Sequence, residues 1–138
     1  MFPVVLQDPG SNQVITIDGV TRPEWYAVSD FLAARLPFKF PDQQALRWRV
    51  FMSDIHNDGR GVIIAARHTT NLSPDSNVIG AAIAVSTGFP GEAEVVCCCS
   101  AYDSERVDSA LLDALRLAAS EKGWSLGRAK QQRVWEAI

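Results

Sequence analysis

Three consecutive cysteines, Cys97, Cys98 and Cys99, are the densest set of reactive side chains in this sequence. An odd number of thiols in one strand-like run cannot form a disulfide framework, so the sequence favours a reducing, cytoplasmic setting. Alternation along a strand places Cys97 and Cys99 on one face, where they could join His56 or His68 in a metal or redox site. The ligand spacings typical of zinc sites are missing, however, and the neighbouring valines favour inert core cysteines.

The segment from residue 92 to residue 122 has the clearest structural pattern in the chain. A short apolar run predicts a buried strand, and an amphipathic helix follows it with no glycine at the junction. Asp103 or Ser104 can cap this helix, and Glu105 and Asp108 place negative charge near its positive end. The apolar face of the helix consists of Val107, Leu111, Ala114, Leu115 and Ala118, and Gly123 is a natural stop.

The rest of the chain predicts two helices and three further strands around this segment. Thr21 and Glu24 have the spacing of a capping box, and Pro37 stops the helix that follows. The predicted elements are a strand at about 13–18, a helix with the stripe Trp25, Val28, Leu32 and Leu36, a second helix from near Pro41 with the stripe Ala45, Trp48, Met52 and Ile55, and strands at 61–66, 78–85 and 94–99. Short links make the last three an antiparallel meander.

The predicted fold class is therefore α/β (α+β), with a mostly antiparallel central sheet flanked by helices. The element order is β-α-α-β-β-β-α with a short C-terminal remnant, and residues 1–138 form a single domain. The net charge of −3 does not favour nucleic acid or an anionic membrane as a partner. The N-terminus lacks the basic region of a signal peptide, and no stretch approaches the ~18 apolar residues of a transmembrane helix.

Aromatic residues gather in the connection between the two predicted helices. Phe38 and Phe40 lie in this connection, and Trp48 follows on the second helix between Arg47 and Arg49. Exposed aromatic side chains are common anchors at protein interfaces, so Phe38, Phe40 and Trp48 are candidates for binding a partner protein. Packing of the same side chains into the core remains the alternative.

The element order resembles that of the GNAT superfamily of N-acetyltransferases, and the local match is best from Val96 to Leu112. This sequence supplies the family's strand and a helix that opens with a small residue and two leucines, Ser109-Ala110-Leu111-Leu112. The resemblance implies a site for acetyl-CoA and a general base near the fourth strand of the family. The matching positions are Cys98, Arg106, Val107 and Ser109 for the coenzyme and Glu94 for the base.

The sequence departs from the family pattern where the family binds the coenzyme pyrophosphate. The family's loop contains glycines that let backbone N–H groups approach the phosphates, whereas residues 103–108 contain no glycine. Three of these six side chains are carboxylates, and only Arg106 could pair with a phosphate. Fifteen residues follow Gly123, with no tyrosine or asparagine among them, so the family's last elements are expected to be incomplete.

Two functions remain open on this evidence. The favoured one is a degenerate GNAT-like domain that binds another protein without acetyl transfer and without a cofactor. The alternative is a divergent N-acetyltransferase that holds acetyl-CoA through Arg106 and uses Glu94 or a water as base. A homodimer stays open, nucleic acid and membrane are not expected as partners, and the sequence does not identify a partner protein.

Overall fold

The computed structural model describes residues 4–7, 14–36, 43–68, 78–101 and 105–127. They form one mixed α/β unit of strands and helices. Its elements are β1 (Val4–Gln7), β2 (Val14–Gly19), a 3-10 turn (Arg22–Glu24), α1 (Trp25–Arg35), α2 (Gln44–Asn57), β3 (Gly61–His68), β4 (Val78–Ser86), β5 (Glu92–Ser100), α3 (Glu105–Glu121) and β6 (Ser125–Gly127). None of the helices in this part of the chain combines the length and hydrophobicity that a bilayer crossing requires.

A single sheet contains the six described strands in the order of the sequence. The strands from β1 to β5 pair antiparallel with their neighbours. β6 instead runs parallel to β5, because α3 returns the chain to the end of the sheet at which β5 begins. The predicted class, a mostly antiparallel sheet flanked by helices, is confirmed.

Helices cover both faces of the central strands. On one face α1 and α2 bury a cluster that includes Val28, Leu32, Trp48, Met52 and Ile83. On the other face α3 buries a second cluster that includes Ile15, Ile17, Ile64, Leu111 and Leu115. This two-sided burial explains why β4 is buried at every position from Ile79 to Ala84 and shows no polar alternation.

The predicted signals for α1 are confirmed. The Thr21 backbone N–H and hydroxyl both donate hydrogen bonds to Glu24 Oε1, at 3.1 and 3.0 Å. The first three residues after Thr21 form the 3-10 turn. α1 then runs from Trp25 to Arg35 and so ends just before Pro37, as predicted. The predicted stripe is buried at its centre, with Val28 and Leu32 fully enclosed.

The predicted strands and helices of the rest of the chain are also confirmed, with one addition near the start of the chain and one correction on α3. The predicted order lacks β1, a four-residue strand that pairs with β2 at the edge of the sheet. On α3, Ala119 is fully buried, whereas Ala118 is half-buried, because the apolar face drifts slowly around the helix axis. Gly123 has a φ of +80° just after α3, which is the left-handed conformation expected at a helix stop.

A close approach between Gly80 on β4 and Leu111 on α3 fixes the distance of this helix from the sheet. A Cβ atom built on Gly80 would lie 2.9 Å from Leu111 Cδ1 and 3.1 Å from the carbonyl oxygen of Cys99. A residue with a Cβ at this position would therefore force the enclosed Leu111 side chain or the backbone beside it to shift.

Arg67 follows Ala66, the residue that pairs with Gly80, and connects three separate parts of the chain. Its side chain forms an ion pair with Glu24, and its Nη2 donates a hydrogen bond of 3.0 Å to the Gly19 carbonyl. Burial alone raises the pKa of Glu24, but the hydrogen bonds from Thr21 and the charge of Arg67 outweigh it and hold the pKa below its ordinary value of 4.5.

We predict that Gly80→Ala destabilises the protein by about 1–3 kcal/mol, because the enclosed Leu111 side chain must repack or α3 must shift to make room for the methyl group. Gly19→Ala is the matched control, since nothing lies within 4 Å of a Cβ built at Gly19. Urea unfolding of both variants checks this. Equal stability of the two variants would contradict the proposed close approach.

We predict that Glu24→Gln lowers the free energy of unfolding by about 1–3 kcal/mol at pH 7, because Arg67 loses its charged partner. The folded pKa of Glu24 is depressed, so its contribution is present above pH 4.5 and disappears as the pH falls through the folded value. Wild type and variant should therefore converge in acid. The control is Asp58→Asn, which breaks an exposed ion pair with Arg60 and should cost less than about 1 kcal/mol.

Candidate functional site

The parallel pair of β5 and β6 is short. Glu92, Ala93 and Glu94 pair with Ser125, Leu126 and Gly127, and β6 ends there within the described residues. Beyond Glu94, β5 continues to Ser100 with β4 on one side. In the described part of the chain, no strand pairs with the other edge of β5 over this stretch.

A bulge in β5 lies at the point where the pairing with β6 ends. Ile83 pairs with Cys97 and Ala84 pairs with Val95, so Val96 is an extra residue on β5. As a result Val96 and Cys97 both face the core formed by α1 and α2, and both are buried. A bulge bends its strand and increases the local twist, which carries the second half of β5 away from the line of β6.

The cysteines divide between the two faces of the sheet. Cys97 and Cys99 lie on the α1–α2 side, as predicted, and Cys98 lies on the α3 side. Among the described residues, no group of three or more His, Cys, Asp or Glu side chains could hold a metal ion. His56 is exposed at the end of α2 with its ring 5.3 Å from that of Trp25. His68, the other candidate ligand, is buried at the end of β3.

Cys98 lies directly beneath the first turn of α3. Its Sγ donates a hydrogen bond of 3.5 Å to the backbone carbonyl of Asp108. Burial raises the pKa of the Cys98 thiol to about 12, and the charge of Asp108 and the neighbouring Cys99 add to the effect. The thiol therefore stays protonated near neutral pH, which excludes it as a thiolate nucleophile there.

The residues matched to a coenzyme site do meet at the junction of β5 and α3, with unequal exposure. Arg106 and Ser109 are exposed on the first turns of α3, and Cys98 is half-buried beneath them. Val107 is fully buried, so only its backbone is left to contact a ligand. Asp103, a predicted cap, lies outside the described residues.

Negative charge dominates this helix start. Glu105 and Asp108 both lie in the first turn of α3. The Asp108 Oδ1 atom is buried and has no hydrogen-bond partner among the described residues. A buried acceptor of this kind requires a donor, and a phosphate offers mostly further acceptors. Apart from the backbone N–H groups, Arg106 is the one cationic side chain in this turn, so these side chains do not fit a pyrophosphate group well.

Glu94 lies at the other end of β5, between β4 and β6. It pairs with Val85 and Gly127 and is half-buried. Its partner Val85 packs against the α1–α2 core, so the Glu94 side chain leaves the sheet on that side. Glu94 therefore lies inside the sheet, between two strands, and not on its edge.

The three residues proposed to bind a partner have different outcomes. Phe38 and Phe40 lie outside the described residues. Trp48 is fully buried, and its indole N–H donates a hydrogen bond of 3.1 Å to the Leu36 carbonyl. For Trp48 the partner-binding prediction is therefore wrong, and the alternative of core packing, which the predicted stripe of α2 already included, is confirmed. The described residues do expose two other aromatic side chains, Tyr26 (62%) and Phe89 (70%).

Several solved structures with the same architecture are described as acetyltransferases, and one, from Bacillus halodurans, is described as a transcriptional regulator. An acetyltransferase of Trypanosoma brucei matches with a TM-score of 0.60 at 12% identity, covering 86% of this chain and 84% of that one. A protein of Clostridium acetobutylicum, described as a predicted acetyltransferase and solved with acetyl-CoA, matches with a TM-score of 0.62 at 8% identity over 84% and 80%. An acetyltransferase of the GNAT family from Staphylococcus aureus matches with a TM-score of 0.56 at 15% identity over 82% and 73%.

No family model and no curated protein matches the sequence. The structural matches nevertheless show that the chain has the GNAT fold, as the sequence resemblance indicated. At identities of 8–15% they establish the fold and leave the activity of this chain as a separate question.

We predict that the Cys98 thiol resists ionisation in the folded protein. In a Cys97→Ala, Cys99→Ala variant, Cys98 is the single thiol and loses only the smallest of the three contributions to its raised pKa, so the thiolate fraction at pH 10 should stay far below the about 90% of a thiol with a pKa of 9. Thiolate absorbance from pH 8 to pH 11 measures this. Adding Asp108→Asn should lower the pKa, because one negative neighbour is lost.

Protein stability provides an independent readout of the same pKa. A raised folded pKa adds stability below the ordinary value of 9.0 that is lost as the pH rises toward 12. Cys98→Ala should therefore flatten the alkaline decline in the free energy of unfolding. A thiol midpoint near 9, or an unchanged alkaline decline, would contradict the assignment.

Proposed function

We propose that this chain is a GNAT-fold domain that has lost acetyl-CoA binding in the family's usual mode and acts by binding protein. The observation that carries the proposal is the acidic first turn of α3, where Glu105 and the partly buried Asp108 occupy the helix start. These carboxylates stabilise the helix by interacting with its positive end. A coenzyme phosphate would compete with them for the same positive potential and the same N–H groups.

Exposed apolar surface is the support for a binding role. Five large hydrophobic side chains of the described residues are well exposed: Val5, Tyr26, Leu46, Val50 and Phe89. Single exposed hydrophobic residues are ordinary, but Leu46 and Val50 are neighbours on α2. The surface formed by Leu46 and Val50 is therefore the one that supports binding of another protein in this proposal.

A divergent N-acetyltransferase is the second candidate, and the shape of β5 favours it. The bulge at Val96 and the short pairing with β6 leave an open edge on β5 in the described structure. Several structural neighbours are described as acetyltransferases, and one of these was solved with acetyl-CoA. In this case Arg106 would contact the coenzyme phosphate. Glu94, which is half-buried on the α1–α2 side, would be the candidate general base.

We predict that the wild-type protein shows no binding of acetyl-CoA by calorimetry at coenzyme concentrations up to about 1 mM, where a Kd near 1 µM would saturate it. Removing the acidic charges with Glu105→Gln and Asp108→Asn should strengthen any residual affinity by about 3- to 30-fold, since each charge is worth about 0.3–1 kcal/mol at a helix start. The control is Asp113→Asn with Glu121→Gln, which removes two exposed charges from later turns of α3.

The outcomes separate the two candidates. Micromolar binding by the wild type would reject the loss of the coenzyme site and support the acetyltransferase. Equal effects of the two double variants would show that net charge, and not the first turn of α3, governs the interaction. Thermal unfolding of both double variants checks that each remains folded.

A further inference from the structure

The outer face of α2 carries a groove beside its exposed apolar residues. Leu46 and Val50, which are 42% and 52% exposed, lie one helical turn apart. The groove has a volume of about 430 Å³ and is lined by Gln43, Leu46, Arg47, Val50, Phe51 and Asp54. Leu46 and Val50 lie on the side of α2 away from Met52 and Ile55, which face the core. Packing within the described structure does not account for this apolar surface.

The charges along the same face are complementary to a reversed copy of the face itself. Arg47 and Asp54 stand two turns apart, about 10 Å along the helix axis, with Val50 between them. If a second α2 lies antiparallel across the groove, Arg47 of each copy meets Asp54 of the other. Val50 then lies next to its own counterpart at the two-fold axis, so the face is self-complementary in both charge and apolar character.

We propose that two copies of this chain associate through their α2 helices, packed antiparallel about a two-fold axis at Val50. The dimer buries Leu46 and Val50 and forms two symmetric ion pairs between Arg47 and Asp54. One 14-residue helix from each copy gives a small interface, below the roughly 1,200 Å² of a standard one, so the association is weak and concentration-dependent. The proposal does not rest on the loss of acetyl transfer, because α2 and α3 lie on opposite faces of the sheet.

Sedimentation analysis of the wild type from about 10 µM to about 1 mM should show a monomer–dimer equilibrium. Val50→Glu places two like charges at the two-fold axis and should leave a monomer throughout this range. Phe89→Glu is the matched control, because Phe89 is more exposed than Val50 and lies in the hairpin between β4 and β5. It should leave the equilibrium unchanged.

A charge-exchange experiment tests the antiparallel register directly. Arg47→Glu alone brings two carboxylates together across the interface, because the substituted side chain faces Asp54 of the other copy. Asp54→Arg alone brings two guanidinium groups together in the same way, so each variant by itself should dissociate. In an equimolar mixture of the two variants, a mixed dimer has opposite charges at both ion-pair sites. One site keeps the original charges, and the other has the two charges exchanged.

The register decides which combination associates. In the antiparallel pairing, a mixed dimer sets the two introduced side chains against each other at one end and Arg47 against Asp54 at the other, so both ends carry opposite charges. The mixture should therefore form a heterodimer, and the double variant Arg47→Glu, Asp54→Arg should form a homodimer. Thermal unfolding checks that the single variants stay folded.

Three results would overturn the proposal. They are a wild-type monomer at about 1 mM, a dimer that Val50→Glu does not weaken, or single charge variants whose mixture fails to associate. A dimer that survives Val50→Glu but not Phe89→Glu would assign the interface to another surface. A wild-type monomer whose α2 face binds an amphipathic helix of a different protein would likewise reject self-association.

Discussion

The close contact of Leu111 with Gly80 sets the position of α3, and the rest of the junction with β5 depends on it. Because no Cβ separates them, the Leu111 side chain packs directly on Gly80, and α3 buries Val107, Leu111 and Leu115 against the sheet. The start of α3 is thereby held over β5 at Cys98. The same contact explains why Val107 has no exposed surface and why the Cys98 thiol lies against the Asp108 carbonyl.

At the first turn of α3, the chain's own carboxylates and an external anion would compete for the same positive electrostatic potential of the helix N-terminus. Carboxylates at Glu105 and Asp108 stabilise the helix end from within the chain, and any external anion must displace or oppose them. Because Asp108 is partly buried, an external anion could not easily displace its carboxylate from the helix start. Asp108 Oδ1 is enclosed without a partner in the described structure, and its negative charge adds to the raised pKa of Cys98. Thus the side chains that hold the helix start are also the ones that disfavour a phosphate there.

The sequence predicted the parts of the fold that depend on local chemistry. The cap formed by Thr21 and Glu24 and the stop at Gly123 are local signals, and both are present. The apolar period of α3 also predicted its buried face. The bulge at Val96 was not predictable, because it arises from the register of β5 against β4, which depends on residues far apart in the chain. Likewise β1 is four residues long and exists by pairing with β2, so its own sequence carries little signal.

The two sides of α2 show how this fold can separate stability from interaction. The sequence allowed two roles for Trp48, a core position in the stripe with Met52 and Ile55 and a contact with a partner, and its complete burial supports the first. Because the side of α2 with Trp48 is buried completely, the helix does not need the opposite side to stay in place. Leu46 and Val50 are then available for association, and substitutions there need not disturb the core. Since α3 lies across the sheet from α2, a contact made by α2 leaves the junction of β5 and α3 accessible. The GNAT fold of this chain thus presents two surfaces that can change independently, one whose acidic start disfavours the coenzyme and one suited to a second copy.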